Sequence, residues 1–235
     1  MEYRWNSGNQ GYPSEVSGYS LNQHVSKTFL WMVLGLLITF FVAIASWMTG
    51  IVYLTAQFHI VWLILTLILS VTMATRIERM SVASARGIFI AFSVLFGITM
   101  SVYLVLFELI SVIFVFLLTA VYFAALAAYG HFTKRDLSSL RTILVTGLLF
   151  LIIFGLLNMI FPIFSAFDSL VCLIGIAMFL AYTAYDTQQI CRYYYYYAGY
   201  PEMLEKAAIF SALQLYLDFL NLFVYLLRFV GRRRD

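Results

Sequence analysis

Residues 206–229 read KAAIFSALQLYLDFLNLFVYLLRF, an apolar run with one aspartate, Asp218, near its middle. As an α-helix the run is long enough to cross the ~30 Å hydrocarbon layer of a bilayer. A carboxylate at that depth costs at least ~2.5 kcal/mol, which makes it a functional-site candidate. A second apolar run covers residues 168–190, and Asp186 lies near its carboxyl end. Two aspartates on consecutive spans are therefore the first candidate site.

The composition places the whole chain in the same class. Of its 235 residues, 63% are hydrophobic and 11% charged, and the mean hydropathy is +0.93. Soluble domains do not have this composition. Runs long enough to span a membrane occur at residues 27–49, 58–76, 86–107, 109–130, 141–161, 168–190 and 206–229. The sequence predicts an all-α polytopic membrane protein with seven transmembrane helices.

Three segments follow from this pattern. Residues 1–24 are predicted to be a polar, disordered cytoplasmic tail, residues 25–230 the seven-helix transmembrane domain, and residues 231–235 a short basic tail. The short tails and the missing organelle signal indicate a bacterial inner (plasma) membrane.

The basic residues predict the orientation of the chain. With the amino terminus inside, the inner side carries Arg4, Lys27, Arg76, Arg79, Arg86, Lys134, Arg135, Arg141, Arg192 and Lys206, as the positive-inside rule requires. Seven spans would place Arg232–Arg234 outside, against that rule. Either the tail is tolerated there, or the last segment re-enters and leaves six crossings. We favour seven.

Polar side chains form one stripe on each of the last two spans. Gln214, Asp218, Asn221 and Tyr225 recur at spacings of four, three and four, and so do Tyr182, Asp186, Gln189 and Tyr193. Such spacings fall within a narrow arc of a helix. Lipid cannot satisfy these groups, so the two stripes are expected to face each other or a shared water-filled cavity.

Two carboxylates in a poorly solvated place cannot both ionise cheaply, so the pair is expected to share a proton and to titrate as a unit. A cation would moderate this behaviour. Arg76, at the inner end of the second span, is the best placed, with Arg79 as the fallback. The alternative is that both aspartates only hold helices together, at ~0.6 to 2 kcal/mol each.

Two segments carry a resemblance to a known family. The runs AYDTQQI at 184–190 and LYLDFLNLF at 215–223 resemble the signature segments of the Bax inhibitor-1 family, also called the transmembrane Bax inhibitor motif family. Weaker similarities include residues 97–99 and 134–137. The resemblance implies a seven-helix bundle with the last helix central, a paired-aspartate pH sensor and a calcium leak. Carried over by position, the sensor is Asp186 with Asp218, and the partner arginine is similar to Arg76.

We therefore expect a pH-sensitive, passive calcium leak channel that acts on Ca²⁺ and protons within the lipid bilayer. No enzyme activity, cofactor, tightly bound metal or nucleic-acid partner is expected. The direction of the pH response stays open, because repulsion and protonation could each favour opening. The alternative is a regulatory protein without transport, which would modulate a membrane-protein partner such as a protease or act on a cell-death pathway.

A remoter alternative is an intramembrane aspartyl protease, since such enzymes also place one aspartate on each of two neighbouring spans. They carry Gly-x-Gly-Asp around the second aspartate. Here Leu215, Tyr216 and Leu217 precede Asp218, and these bulky side chains give a substrate backbone no close approach.

Overall fold

A computed structural model describes residues 15–16, 19–160 and 166–234. The described residues are mainly α-helical, with one two-residue antiparallel pair, β1 (Glu15–Val16) and β2 (Tyr19–Ser20), and one 3-10 turn at Leu137–Ser139. The helices are α1 (Leu21–Met48), α2 (Ile51–Gln57), α3 (His59–Arg76), α4 (Val82–Leu106), α5 (Leu109–Phe132), α6 (Leu140–Ile160), α7 (Asp168–Tyr196) and α8 (Pro201–Val230).

Within the described residues, six helices are long and apolar enough to cross a membrane: α1, α4, α5, α6, α7 and α8. The predicted span at 58–76 corresponds to α3, in which the segment Ile64–Arg76 is apolar but shorter. A helical membrane protein is therefore confirmed, whereas the count of seven crossings stays a prediction.

The start of α1 lies inside the segment predicted as a disordered tail. Ser20 Oγ accepts from the backbone N–H of Gln23 at 3.2 Å, and the Gln23 side chain accepts from the Ser20 N–H at 2.9 Å. This reciprocal cap satisfies two free donors at the helix start and sets the boundary at Leu21. The rest of the predicted tail falls largely on residues 1–14 and 17–18, outside the described residues.

The last helix, α8, runs the full length of the bundle. Near its start, Glu205 pairs with Lys27 of α1 and with Arg86 of α4. Near its end, Arg228 pairs with Asp168, the first residue of α7. Since α1 and α4 begin where α8 begins, and α7 begins where α8 ends, α8 extends from one end of the bundle to the other. We call the end of the bundle where α8 begins the amino end, and the opposite end of the bundle the carboxyl end.

Burial differs sharply between the long helices. In the 18-residue apolar stretch of α8, 72% of the residues are buried inside the protein. In the corresponding stretch of α6, only 11% are buried. Helix α8 contacts α1, α4, α5 and α7. Large apolar side chains on α1 and α5 point away from the bundle, among them Leu30, Ile110 and Phe132, which are 69%, 81% and 78% exposed. Apolar surface of this extent fits a lipid surround.

Candidate functional site

The carboxyl groups of Asp186 on α7 and Asp218 on α8 meet inside the bundle. Their side chains are buried, at 5% and 4% exposure, and the two carboxyl groups lie close enough to interact through a side-chain hydrogen bond. An ionised carboxylate only accepts hydrogen bonds, so two carboxyl groups can bond only when one carries a proton. The structure thus brings together the two aspartates that the sequence singled out, as a pair that can form a hydrogen bond only when one of them is protonated.

Close helix packing positions this pair. A Cβ built on Gly130 of α5 would stand 2.2 Å from the carbonyl oxygen of Ala184, two positions before the first aspartate. A Cβ built on Gly175 of α7 would stand 2.7 Å from the ring of Tyr225 on α8. Small residues allow such close approach between membrane helices. The turn between α7 and α8 contains Gly199 at φ 89°, a conformation that side chains disfavour.

The other members of the polar stripes lie around the pair. Tyr182 interacts electrostatically with both aspartates. Gln189 is buried, whereas Gln214 and Asn221 are half-buried. Asn221 Nδ2 donates to a backbone carbonyl of its own helix at 2.8 Å. Gln189 Nε2 and Asp218 Oδ2 are buried without a hydrogen-bond partner among the described residues, so the amide nitrogen can donate to a water and the carboxyl oxygen can bind a water or a cation.

The two arginines predicted as cation partners lie at the amino end, where their side chains are exposed. Arg76 ends α3, Arg79 follows in the next loop, and both are exposed. In the part of the chain that the structure describes, six ion pairs form, and none includes either arginine or either stripe aspartate. The roles of Arg76 and of its fallback Arg79 stay predictions.

Sequence reasoning missed a polar network that joins α8 to α1 and α4. Tyr216 of α8 is fully buried, and its hydroxyl lies 2.5 Å from Thr39 Oγ1 of α1. Thr39 donates to the Ser93 carbonyl of α4 at 3.0 Å, so its single proton is used and Tyr216 is the donor between the two hydroxyls. No sequence signal marks this network, because many such hydroxyls bond within their own helix, as Thr183 does.

The loop between α5 and α6 is fixed to α7 near the pair. Gln188 Oε1 accepts from the Leu137 N–H at 3.0 Å, and Arg192 pairs with Asp136. The Ser138 backbone N–H donates to Asp136 at 2.8 Å. This hydrogen bond, with Arg192 beside it, lowers the pKa of Asp136 from its ordinary value. The weaker motif at 134–137 therefore contacts the signature segment at 184–190.

The basic tail is bound at the carboxyl end. The Glu108 N–H donates to the Arg232 carbonyl, and the Arg234 N–H donates to the Leu106 carbonyl, both at 3.0 Å. Arg232 Nε also lies 3.2 Å from Glu108 Oε1. The tail thus forms a short bridge with the loop between α4 and α5, which sequence patterns did not indicate.

Comparison with known proteins gives a consistent result. Residues 21–235 match the family model described as "Inhibitor of apoptosis-promoting Bax1". An uncharacterized protein of Borreliella burgdorferi is 32% identical, over 91% of this chain and 94% of its own. Protein RP147 of Rickettsia prowazekii, also uncharacterized, is 34% identical over 92% of both chains. The inner membrane protein YbhL of Escherichia coli is 32% identical, over 91% of this chain and 93% of its own.

Proposed function

The chain belongs to the Bax inhibitor-1 family, and from that premise we propose that it is a passive, pH-dependent Ca²⁺ leak gated by the proton on Asp186 and Asp218. The observation that carries the proposal is the burial of the two carboxyl groups on consecutive spans, close enough to each other to share a proton. The six long apolar helices and the name of the Escherichia coli relative support an integral inner-membrane location.

The proposed channel is a bundle of seven transmembrane helices with α8 at its centre. The seven are the six long spans together with the shorter α3. Its amino end faces the cytoplasm. Nearly all basic residues outside the last helix and tail lie at that end, which the positive-inside rule favours. The burial of α8 and its contacts with four other helices support its role as the central plug.

Gating follows from the charge of the pair. While a proton is shared, the hydrogen bond holds α7 against α8. When it leaves, two adjacent negative charges repel by an amount of order 4 kcal/mol at ~4 Å and an effective dielectric constant of ~20. A difference of that size shifts a two-state equilibrium by about a thousandfold. We therefore expect the leak to open as pH rises, with Arg76, or Arg79 as fallback, moving to the deprotonated pair.

The chemistry of the pair suits Ca²⁺ as the transported ion. Carboxylate and amide oxygens are hard ligands of the kind that Ca²⁺ prefers. Asp218 Oδ2 has no hydrogen-bond partner among the described residues, and the amides of Gln189 and Gln214 belong to the two stripes. No resident cofactor or tightly bound metal is part of the proposal.

The test is Ca²⁺ flux into liposomes across pH ~5 to ~8. Wild-type flux is expected to rise with pH, whereas the double variant Asp186→Asn, Asp218→Asn gives a flat profile, because neither amide titrates. Glu202→Gln is the matched control. It also turns a carboxylate into an amide on α8, but this side chain is 69% exposed at the amino end, so the wild-type profile is retained.

Two results would contradict the proposal. A double variant with the wild-type flux and pH profile would remove the pair from gating. No flux at any pH would favour the alternative, a regulatory membrane protein without transport. The remoter protease alternative finds little support, since Leu215 and Tyr216 are fully buried beside Asp218 and leave no path for a substrate backbone.

A further inference from the structure

A groove of about 250 Å³ lies at the amino end, between the last turn of α3, the last turn of α7 and the start of α8. Its lining is mostly apolar and aromatic, with Ala74, Ile77, Tyr193, Tyr197 and Phe210 among its residues. The volume is slightly below the ~300 to 1,000 Å³ of sites that hold drug-sized molecules. The groove therefore suits part of a lipid chain better than a whole polar ligand.

Lys206 lines the groove, but all three donors of its ammonium group already have partners in the protein. Its Nζ donates to the carbonyls of Glu78 and Met80 at 3.3 and 3.2 Å, and lies 3.4 Å from Glu202 Oε1. An ammonium has three donors, so these three partners saturate it. The role of Lys206 is therefore to fix the loop between α3 and α4 over the start of α8, and any anion must find another cation.

Residues 76–79, which include the lining residue Ile77, are called the rim of the groove, and they contain two such cations. Arg76 and Arg79 flank Ile77, one of the lining residues; both are exposed, and the described residues include no ion pair to either. The acid between them, Glu78, accepts from the Tyr197 hydroxyl at 3.2 Å. Burial, with Glu78 next, raises the pKa of Tyr197 to about 12, so that hydroxyl stays a neutral donor. The rim carries a net positive charge.

We propose that this groove binds an anionic phospholipid, with an acyl chain against Ile77 and Phe210 and the headgroup phosphate on Arg76 and Arg79. Planar guanidinium groups match phosphate oxygens in pairs of hydrogen bonds. The tyrosines at the end of α7 are typical of the membrane–water interface, where headgroup and chain meet. The positive rim selects an anionic headgroup over a zwitterionic one, and the apolar lining excludes a free phosphate.

Such a lipid would lie next to the gating pair. Tyr193 lines the groove and also interacts electrostatically with Asp186, two helical turns away on the same stripe. Occupancy of the groove would also hold Arg76 at the rim and so away from the pair. The inference rests on the groove itself and does not require that the protein conducts Ca²⁺.

The test is lipid binding to the detergent-purified protein, measured by native mass spectrometry. Phosphatidylglycerol and phosphatidylcholine with identical acyl chains are compared, with oleate as a competitor. The wild type is expected to retain phosphatidylglycerol preferentially. The double variant Arg76→Gln, Arg79→Gln is expected to lose that preference, because each arginine removed lowers the affinity for phosphatidylglycerol by about fivefold. Ala74→Trp fills the groove from α3 and is expected to weaken both lipids.

The matched control is Lys134→Gln with Arg135→Gln, which removes two exposed basic side chains from another loop of the amino end. It is expected to retain the wild-type preference. An equal loss in this control would show a general effect of surface charge and overturn the proposal. Unchanged binding in the Arg76 and Arg79 variant, or displacement by oleate as effective as by phosphatidylglycerol, would overturn it as well.

Discussion

Asp186 and Asp218 can each serve as the hydrogen-bond partner of the other. A buried carboxyl group needs such a partner, and lipid does not offer one. Sequence alone could identify them, because acids are rare at membrane depth and the four-three-four spacing assigns each to a single helix face. Their partner could not be identified in the same way. Arg76 ends α3 and Arg79 lies in the loop that follows, which Lys206 fixes through two backbone carbonyls, and backbone contacts of this kind leave no sequence signature.

Tyr216 provides a test at the residue scale. Tyr216→Phe removes the hydroxyl that donates to Thr39 and is expected to cost about 1 kcal/mol of folding stability, since Thr39 keeps its bond to Ser93. Thermal unfolding in detergent measures the loss. Tyr196→Phe serves as control, because that side chain is 73% exposed and its loss is expected to be neutral. Equal stability of the two variants would show that the network does not hold α8 to α1 and α4.

Most of the helices, namely α1, α4, α5, α7 and α8, are longer than the apolar runs that predicted them. Helix α8 begins at Pro201 although its apolar run starts at 206, and α7 continues to Tyr196 past the predicted end at 190. Hydropathy stops at the first charges, whereas the helices continue because charged residues there have partners, as Glu205 does in Lys27 and Arg86. The existence of the spans was predictable from composition; their ends depend on contacts between helices.

Gly130 tests the packing that positions the pair. Gly130→Ala places a Cβ against the backbone of Ala184, which cannot rotate away, so α5 and α7 must separate at an expected cost of ~1–3 kcal/mol. Gly155→Ala on α6 is the matched control. Nothing lies within 4 Å of its added Cβ, so helix propensity alone makes it neutral or slightly stabilising. Thermal unfolding of both variants measures the difference in stability. Equal stability of the two variants would contradict the close approach of α5 to α7.

On the scale of the whole molecule, the family resemblance read from two short motifs is confirmed over residues 21–235. The sequence also predicted a helical membrane protein, and the long spans confirm that class. It left open whether the last segment crosses or re-enters, because the basic tail contradicts the charge rule. In the structure, α8 extends from one end of the bundle to the other, and Arg232 bonds to the loop between α4 and α5 at the carboxyl end. The crossing of the membrane by α8 stays a prediction.

Cysteine labelling tests this topology. With Cys172 and Cys191 replaced by Ser, single cysteines are placed by Tyr200→Cys at the amino end and by Arg233→Cys at the carboxyl end. In intact spheroplasts, a membrane-impermeant maleimide is expected to label position 233 at once and position 200 only after permeabilisation. Labelling of both positions from the same side would show that α8 does not cross.

The most direct measurement of the central claim is an infrared pH titration of the reconstituted protein, following the carbonyl band of protonated, buried carboxyl groups. The wild type is expected to show such a band, and the band is expected to disappear over the same pH range in which Ca²⁺ flux rises. The double variant Asp186→Asn, Asp218→Asn is expected to lack it. A band that persists unchanged in the double variant, or that disappears at a pH unrelated to the flux, would contradict a shared proton as the gate.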